Sequence, residues 1–371
     1  MMDLPLKGLV VLEFSQYLSG PSAGLRLADL GARVIKIERP GVGDAGRKLA
    51  IKNLWVDESS LLFHTINRNK ESVAANLKDA ADLEQVKKLI SNADVLIHNF
   101  RPGVMEKTGL GFEQVQQINP RIIYAAVSGY GKIGPWKNKP GQDLLLQSIT
   151  GLAYTTGNGD NGPVPFGIAI GDILSGAQLV QGILAALIRR HKTGKGALIE
   201  VSLMESLLDF QFELLTTYFA SEQQPVRSIV NNGHALLGAP YGIYKTANGH
   251  IALAMMDLHA LANAIDCTAL LAFTKEEAFI KRDAIKELLT NFLVQQDSRY
   301  WIDRLHDFDL WAMEVMDWEK MTQQEAYQLL EMEQVLEVAG KNIVTTRCPI
   351  RINGNRLYAS AGAPPLGVNK N

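Results

Sequence analysis

The N-terminal third of the chain alternates short apolar runs with amphipathic stretches of helical period, and this alternation constrains the fold most strongly. The runs at 8–14, 34–38, 95–97 and 122–127 are typical of strands buried on both faces. Helical patterns lie between them, most clearly at 81–91. Strands and helices that alternate in this way predict parallel strands joined by crossover helices. We therefore predict an α/β fold whose larger domain is a doubly wound, mostly parallel, Rossmann-like sheet.

The pattern changes after residue 224, which predicts a second domain. Residues 241–246 and 251–254 flank the dipeptide Asn248-Gly249, which is typical of a tight hairpin turn. Helical stretches rich in charge and tryptophan follow the hairpin. We predict a large α/β binding and catalytic domain at 1–224, a small α+β domain at 225–330, and a C-terminal segment at 331–371 that returns to the large domain.

Composition argues against several classes of function. The chain has 371 residues, with 37 Lys and Arg against 39 Asp and Glu, and no segment gathers basic and aromatic residues into a stripe. We therefore expect no nucleic-acid partner. The two cysteines and seven histidines lack metal-ligand spacing, so we expect no metal. The apolar stretch 168–188 is interrupted by charge and glycine, which indicates a core helix and no membrane partner. Without an export signal, a cytoplasmic location is expected.

Nucleotide-binding motifs are missing where a doubly wound sheet would carry them. The first strand-to-helix turn, residues 15–21, has no GxGxxG pattern and contains Pro21 where an amide would be needed to cradle a phosphate. The chain also has no GxxxxGK[ST] loop. We therefore expect neither a nicotinamide cofactor nor nucleotide hydrolysis.

Asp172 is the best candidate for chemistry, because it interrupts an otherwise apolar stretch. A carboxylate in such surroundings costs several kcal/mol of desolvation unless it is stabilised. Two interpretations are open: Asp172 caps the helix that follows, or it is a nucleophile held at a helix start beside a pocket. The two are compatible, since a helix N-terminus stabilises an anion.

Basic residues recur just after predicted strands, at the sheet edge where ligands of open α/β sheets bind. They are Arg39, Lys78, Arg101 and Lys107. Any one of them alone is typical of a solvated surface charge. Together they favour a site for the phosphates of a nucleotide-bearing carrier.

Five blocks in the order of the chain resemble the class III CoA-transferases, the group of formyl-CoA transferase and carnitine CoA-transferase. They are VIKIERPGVGD at 34–44, NK at 69–70, HNFRPG at 98–103, GD at 171–172 and HKTGKG at 191–196. The resemblance covers about 5–250. It implies an enzyme that moves coenzyme A from a donor acyl-CoA to a small carboxylic acid, and an interlocked homodimer.

The resemblance also implies roles for individual residues. Asp172 matches the nucleophile, which forms an aspartyl mixed anhydride and then an aspartyl-CoA thioester. Coenzyme A contacts fall on Leu18, Ser19, Arg39, Ala75, Asn76, Leu77, Lys78, Asn99, Phe100, Arg101 and Lys107. The substrate pocket falls on Gln142, Asp143, Leu203, Gly233 and Gly238. For Asp143, the cap of a helix at 144–149 is an equal alternative.

Gln142 distinguishes two chemistries. The related α-methylacyl-CoA racemases have a histidine base in a Gly-His-Asp string, whereas this chain reads Gly141-Gln142-Asp143. A glutamine amide has no usable basicity near neutral pH, so CoA transfer is favoured over racemisation. A racemase-like enzyme and a non-catalytic CoA-binding partner subunit remain the alternatives.

Overall fold

The computed structural model describes residues 3–367. The strands are β1 (Val10–Glu13), β2 (Arg33–Glu38), β3 (Trp55–Val56), β4 (Ser59–Ser60), β5 (Lys70–Ala74), β6 (Val95–His98), β7 (Ile123–Ser128), β8 (Ala197–Ser202), β9 (Gly242–Lys245), β10 (His250–Leu253), β11 (Ala312–Glu314), β12 (Glu333–Val338), β13 (Lys341–Thr346), β14 (Cys348–Ile352) and β15 (Asn355–Leu357).

The α-helices are α1 (Ser19–Asp29), α2 (Leu61–Ile66), α3 (Ala80–Ser91), α4 (Val104–Lys107), α5 (Phe112–Ile118), α6 (Asp143–Ile149), α7 (Ile170–Thr193), α8 (Leu203–Phe210), α9 (Phe212–Ser221), α10 (Leu258–Ile265), α11 (Glu277–Ile280), α12 (Arg282–Leu293), α13 (Ser298–Asp307), α14 (Trp318–Thr322) and α15 (Glu325–Leu330).

A six-stranded sheet organises the larger part of the molecule. Its strand order is β5-β2-β1-β6-β7-β8, and every neighbouring pair is parallel. Leu12, Ile35, Leu96 and Tyr124 come from four of these strands and belong to one buried cluster with residues of α3 and α5. The predicted α/β class and the parallel sheet are therefore confirmed. Because all six strands run the same way, the segments that follow them share one edge of the sheet.

Two compact units can be separated, and their bounds differ from the predicted domains. Of the described residues, the larger unit takes those in 1–146, 168–209 and 329–371, and the smaller those in 147–167 and 210–328. The predicted boundaries at 224 and 330 stay predictions. Strand β13 pairs with β12 in a two-stranded hairpin of the larger unit that is separate from the main sheet.

The smaller unit contains a three-stranded antiparallel sheet of order β11-β10-β9. The pairing of His250 with Lys245 confirms the predicted hairpin around the Asn-Gly turn. Tyr244, Leu289 and Trp301 lie in the core of this unit, between the sheet and helices α10, α12 and α13.

Helix α7 supports the site described below. Among residues 3–367 it is the one helix long and apolar enough to cross a membrane, by length and composition only. Leu179 and Ile183 are completely buried, and the helix packs against α1 and β8. These contacts are those of the core helix that the sequence predicted. The absence of a membrane partner stays a prediction.

A buried group of charges lies where β1, β2 and β5 adjoin. Lys36 Nζ donates to Glu13 Oε1 (2.8 Å) and to the carbonyl of Ser15 (2.7 Å), and it pairs with Asp44 Oδ2 at 2.7 Å. Lys70 Nζ donates to Glu13 Oε2 (2.8 Å). The Glu13, Lys36 and Lys70 side chains are fully buried. Two cations and two carboxylates therefore neutralise one another beside the first strand-to-helix turn, as buried charges must.

Candidate active site

Asp172 is the third residue of α7, not its cap. Ala169 occupies the N-cap position and makes no side-chain cap hydrogen bond. The interpretation of Asp172 as the helix cap is therefore wrong, because the helix begins two residues before it. The half-buried carboxylate still lies in the first turn, where the helix dipole favours negative charge.

The pKa of Asp172 is raised from its ordinary value to about 6. Burial is the largest cause, the nearby negative charge of Asp143 also raises the pKa, and the Ser19 hydroxyl lowers it. At pH 7 the side chain is mostly ionised, yet it is more basic than an ordinary aspartate. A carboxylate of this kind is suited to nucleophilic attack on an activated carbonyl carbon.

Asp143 holds the start of α7. Its Oδ1 accepts hydrogen bonds from the amides of Gly171 (2.7 Å) and Asp172 (3.1 Å). These amides are among the first four N–H groups of the helix, which have no partner within it. A Cβ on Gly171 would stand 2.8 Å from the same oxygen, so the residue before Asp172 must be small. Asp143 thus orients the backbone of Asp172, a role that neither the pocket nor the cap prediction had assigned.

The turn between β1 and α1 is fixed from several sides. Asn99 Oδ1 accepts from the Gln16 amide at 2.8 Å, and Asn99 Nδ2 donates to the Gln16 carbonyl at 2.7 Å. Asp44 Oδ1 accepts from the Tyr17 amide at 3.1 Å. Ser19, at the start of α1, is 4% exposed. These contacts hold the turn that leads into Ser19.

The predicted carrier contacts fall along one edge of the main sheet. Leu18 and Ser19 follow β1, Arg39 follows β2, residues 75–78 follow β5, and 99–101 follow β6. These four strands are adjacent in the sheet. Arg39, Lys78, Arg101 and Lys107 are all exposed. The structure thus brings the predicted contact segments to the same edge, with free cationic side chains at its rim.

A cavity of about 310 Å³ opens at this edge beyond β6, β7 and β8. Its lining includes His98, Phe100, Arg101, Ser128, Tyr130 and Lys132. His98 is 7% exposed, its Nδ1 has no hydrogen-bond partner among the described residues, and burial lowers its pKa to about 4. Phe100 and Arg101 were predicted as carrier contacts, but the cavity itself was not, because its residues come from three segments far apart in the chain.

The predicted pocket residues lie in several separate elements, and their assignment to one pocket stays a prediction. Gln142 is exposed and directly precedes α6, next to Asp143. Leu203 begins α8 and is 3% exposed, so it is a core residue. Gly233 and Gly238 lie in the smaller unit, in the segment before β9. A Cβ on Gly238 would stand 2.8 Å from the Ala278 carbonyl oxygen, which gives this glycine a packing role within its own unit.

Comparisons with known proteins agree with this geometry. A family model described as CoA-transferase family III matches residues 6–370. The acetyl-CoA:oxalate CoA-transferase of Acetobacter aceti is 34% identical over 310 residues, which are 81% of this chain and 78% of that protein. The succinyl-CoA:glutarate CoA-transferase of Mus musculus is 36% identical over 249 residues, 67% of this chain but only 56% of that protein. A solved structure of a CAIB/BAIF family protein from Brucella suis has a TM-score of 0.86 at 29% identity, covering 99% of this chain and 97% of that one.

Proposed function

The chain belongs to CoA-transferase family III, and from that premise we propose that it moves coenzyme A from a donor acyl-CoA to an acceptor carboxylic acid. The observation that carries the proposal is Asp172, a half-buried carboxylate in the first turn of α7 with a pKa of about 6. No other reacting group is required of the protein, because the carrier thiol and the two acids supply the rest.

The proposed reaction has four displacements. The Asp172 carboxylate attacks the carbonyl carbon of the donor thioester, the C–S bond breaks, and CoA thiolate leaves a mixed anhydride. The thiolate attacks the aspartyl carbonyl carbon and releases the donor acid, which keeps one oxygen from Asp172. The acceptor carboxylate then attacks the aspartyl-CoA thioester and displaces the thiolate. Finally the thiolate attacks the acceptor's carbonyl carbon, and Asp172 is regenerated with one oxygen from the acceptor.

Each displacement passes through a tetrahedral oxyanion, which needs nearby donors in a site that excludes water. The Ser19 hydroxyl, which lowers the pKa of Asp172, is proposed as one donor. The assignment of Gly233 and Gly238 to the substrate pocket stays a prediction. In the same way, Arg39, Lys78, Arg101 and Lys107 are proposed to bind the phosphates of the carrier, with Lys107 acting as a point charge.

The partners proposed are an acyl-CoA and a small carboxylic acid. The named relatives use oxalate and glutarate as acceptors, which supports small dicarboxylates as the first acids to test. The interlocked homodimer is proposed from the family resemblance, and the cytoplasmic location from the two isolated cysteines of the sequence. Racemisation is the second candidate; exchange of the α-proton into deuterated water without any CoA transfer would favour it.

Chemical trapping tests the proposal. The protein is incubated with acetyl-CoA or succinyl-CoA, treated with hydroxylamine or borohydride, digested and examined by mass spectrometry. We expect a hydroxamate or a reduced side chain at Asp172, since both intermediates are activated acyl derivatives of that residue. A full set of donors that leaves Asp172 unmodified would instead indicate a binding subunit without transferase chemistry.

A further inference from the structure

A buried ion pair lies at the end of β2. The guanidinium of Arg47, which is 6% exposed, donates to both carboxylate oxygens of Glu38, from Nε at 2.8 Å and from Nη2 at 2.7 Å. A two-point contact of this kind fixes the orientation of both side chains. Glu38 is the last residue of β2, so the pair is anchored one residue before Arg39, which is proposed to bind a phosphate of the carrier.

Glu38 is also bonded to two other segments at this edge of the sheet. Its Oε2 accepts from the amide of Asp44 at 2.8 Å, and Asp44 Oδ1 accepts from the amide of Tyr17, in the turn after β1, at 3.1 Å. The main-chain carbonyl of Glu38 accepts from the amide of Ala75 at 2.8 Å, where the predicted contact segment after β5 begins. The ion pair therefore connects three of the predicted contact segments, those that follow β1, β2 and β5.

A segment near the C-terminus binds the same ion pair, and we call this segment, residues 360–367, the strap. Arg47 Nη2 donates to the carbonyl of Pro364 at 3.1 Å. The amide of Gly367 donates to Ser72 Oγ at 3.0 Å, and that hydroxyl donates to the carboxylate of the ion pair at 2.6 Å. The strap thus contacts the cation directly and the carboxylate through one serine.

Asn69 holds the beginning of the strap. Its Oδ1 accepts from the amides of Ser360 at 2.9 Å and Ala361 at 3.0 Å, and its own amide donates to the carbonyl of Ala361 at 3.1 Å. Asn69 directly precedes β5 and has a φ of +59°, a left-handed conformation that asparagine and glycine adopt most readily. A glycine here would keep the backbone conformation and remove the side-chain acceptor.

We propose that Arg47 is a positioning residue for the carrier and that docking of the strap strengthens carrier binding through it. Arg47 is buried, so it acts through Glu38 and does not touch the carrier. When the strap leaves, one N–H of Arg47 loses its acceptor, which is unfavourable for a buried donor, and the loops around the ion pair loosen. The inference rests on the proposed function, in which these loops bind coenzyme A.

The coupling must act in both directions, because the strap and the carrier stabilise the same arrangement of the loops. Hydrogen exchange of residues 360–367, followed by mass spectrometry, measures docking of the strap, and calorimetric titration with coenzyme A gives the Kd. In the unmodified protein we expect coenzyme A to slow the exchange of these residues. In Asn69→Gly we expect faster exchange there and a Kd for coenzyme A that is at least about fivefold higher.

Three further variants sharpen the test. Asn353→Gly is the matched control, because Asn353 is exposed and has a φ of +50° in the turn between β14 and β15, so neither quantity should change. A chain that ends at residue 359 lacks the strap and should bind coenzyme A no more tightly than Asn69→Gly. Arg47→Lys cannot make the two-point contact, so its Kd should rise, while the rate of acylation at a saturating donor stays within about twofold.

The outcomes separate this inference from the proposed function. Strap exchange that is equally fast with and without coenzyme A would overturn the coupling, as would an unchanged Kd in a variant whose strap is released or absent. Arg47→Lys with the Kd of the unmodified protein would overturn the role of Arg47. All three results leave the transferase proposal intact, since coenzyme A still binds. An unmodified protein that does not bind coenzyme A would instead overturn the proposed function.

Discussion

Replacing Asp172 by asparagine should reduce CoA transfer by at least about 10⁴-fold, as expected when the nucleophile of a covalent mechanism is removed. The amide has nearly the same shape and keeps the packing around α1 and α7, but it cannot form an anhydride. The measurement is the steady-state rate with a donor and an acceptor found by screening acyl-CoAs against carboxylic acids. Asp209→Asn is the matched control, because Asp209 is exposed and its carboxylate accepts one hydrogen bond from Gln178 at 3.0 Å.

The same substitution should not destabilise the protein. The pKa of Asp172 in the folded state, about 6, lies above its ordinary value of 3.8, so its contribution to stability is greatest below pH 3.8 and is lost as the pH rises through 6. At pH 7 the ionised side chain therefore costs roughly 3 kcal/mol, which asparagine removes. A variant that is inactive and at least as stable as the original supports a functional role. Activity within tenfold of the original would contradict it.

Removing Glu13 should have the largest effect on stability. Glu13→Ala takes the shared carboxylate from Lys36 and Lys70, both fully buried, and leaves their charges only partly compensated. We expect a loss of about 3–5 kcal/mol in the free energy of unfolding, measured by chemical denaturation at pH 7. The matched control is Glu84→Ala, which breaks an exposed pair with Lys87 and should cost less than about 1 kcal/mol.

The network that Glu13 completes also supports a turn next to the candidate site. Lys36 and Lys70 donate to the carbonyls of Ser15 and Pro21, which flank the turn that carries Ser19. A loss of less than about 1 kcal/mol in Glu13→Ala would show that the network is not the support of this turn. A loss of about 3–5 kcal/mol would support the role of these buried charges in holding the turn.

The local hydrophobic pattern was sufficient to predict most strands of the main sheet, but it did not predict β5. Strands β1, β2, β6 and β7 are apolar runs and were predicted. Strand β5, Lys70–Ala74, was not, because Lys70 and Ser72 are polar and yet buried. Their partners, Glu13 and Glu38, lie 57 and 34 residues away. Hydrophobic periodicity cannot identify a strand whose buried polar side chains pair with charged residues far away in the sequence.

The candidate site, too, could be predicted from the sequence only in part. Asp172 could be singled out because a lone carboxylate in an apolar stretch is conspicuous in the sequence. The cap interpretation misplaced the start of α7, since it put the helix after Asp172, whereas the helix begins at Ile170. The contacts that define the site join residues far apart: Asp143 and Asp172 are 29 residues apart, and Asn99 and Ser19 are 80 apart. Only the order of the strands brings such residues together.

The central claim is that the Asp172 carboxylate itself carries the acyl group, and the oxygen atoms of the carboxylate record this most directly. After turnover with an acceptor acid labelled with oxygen-18, the protein is digested and the peptide that contains Asp172 is weighed by mass spectrometry. The account predicts heavy oxygen in the Asp172 side chain, because the acceptor leaves one oxygen there when it takes coenzyme A. Turnover that leaves this peptide unlabelled would contradict the account.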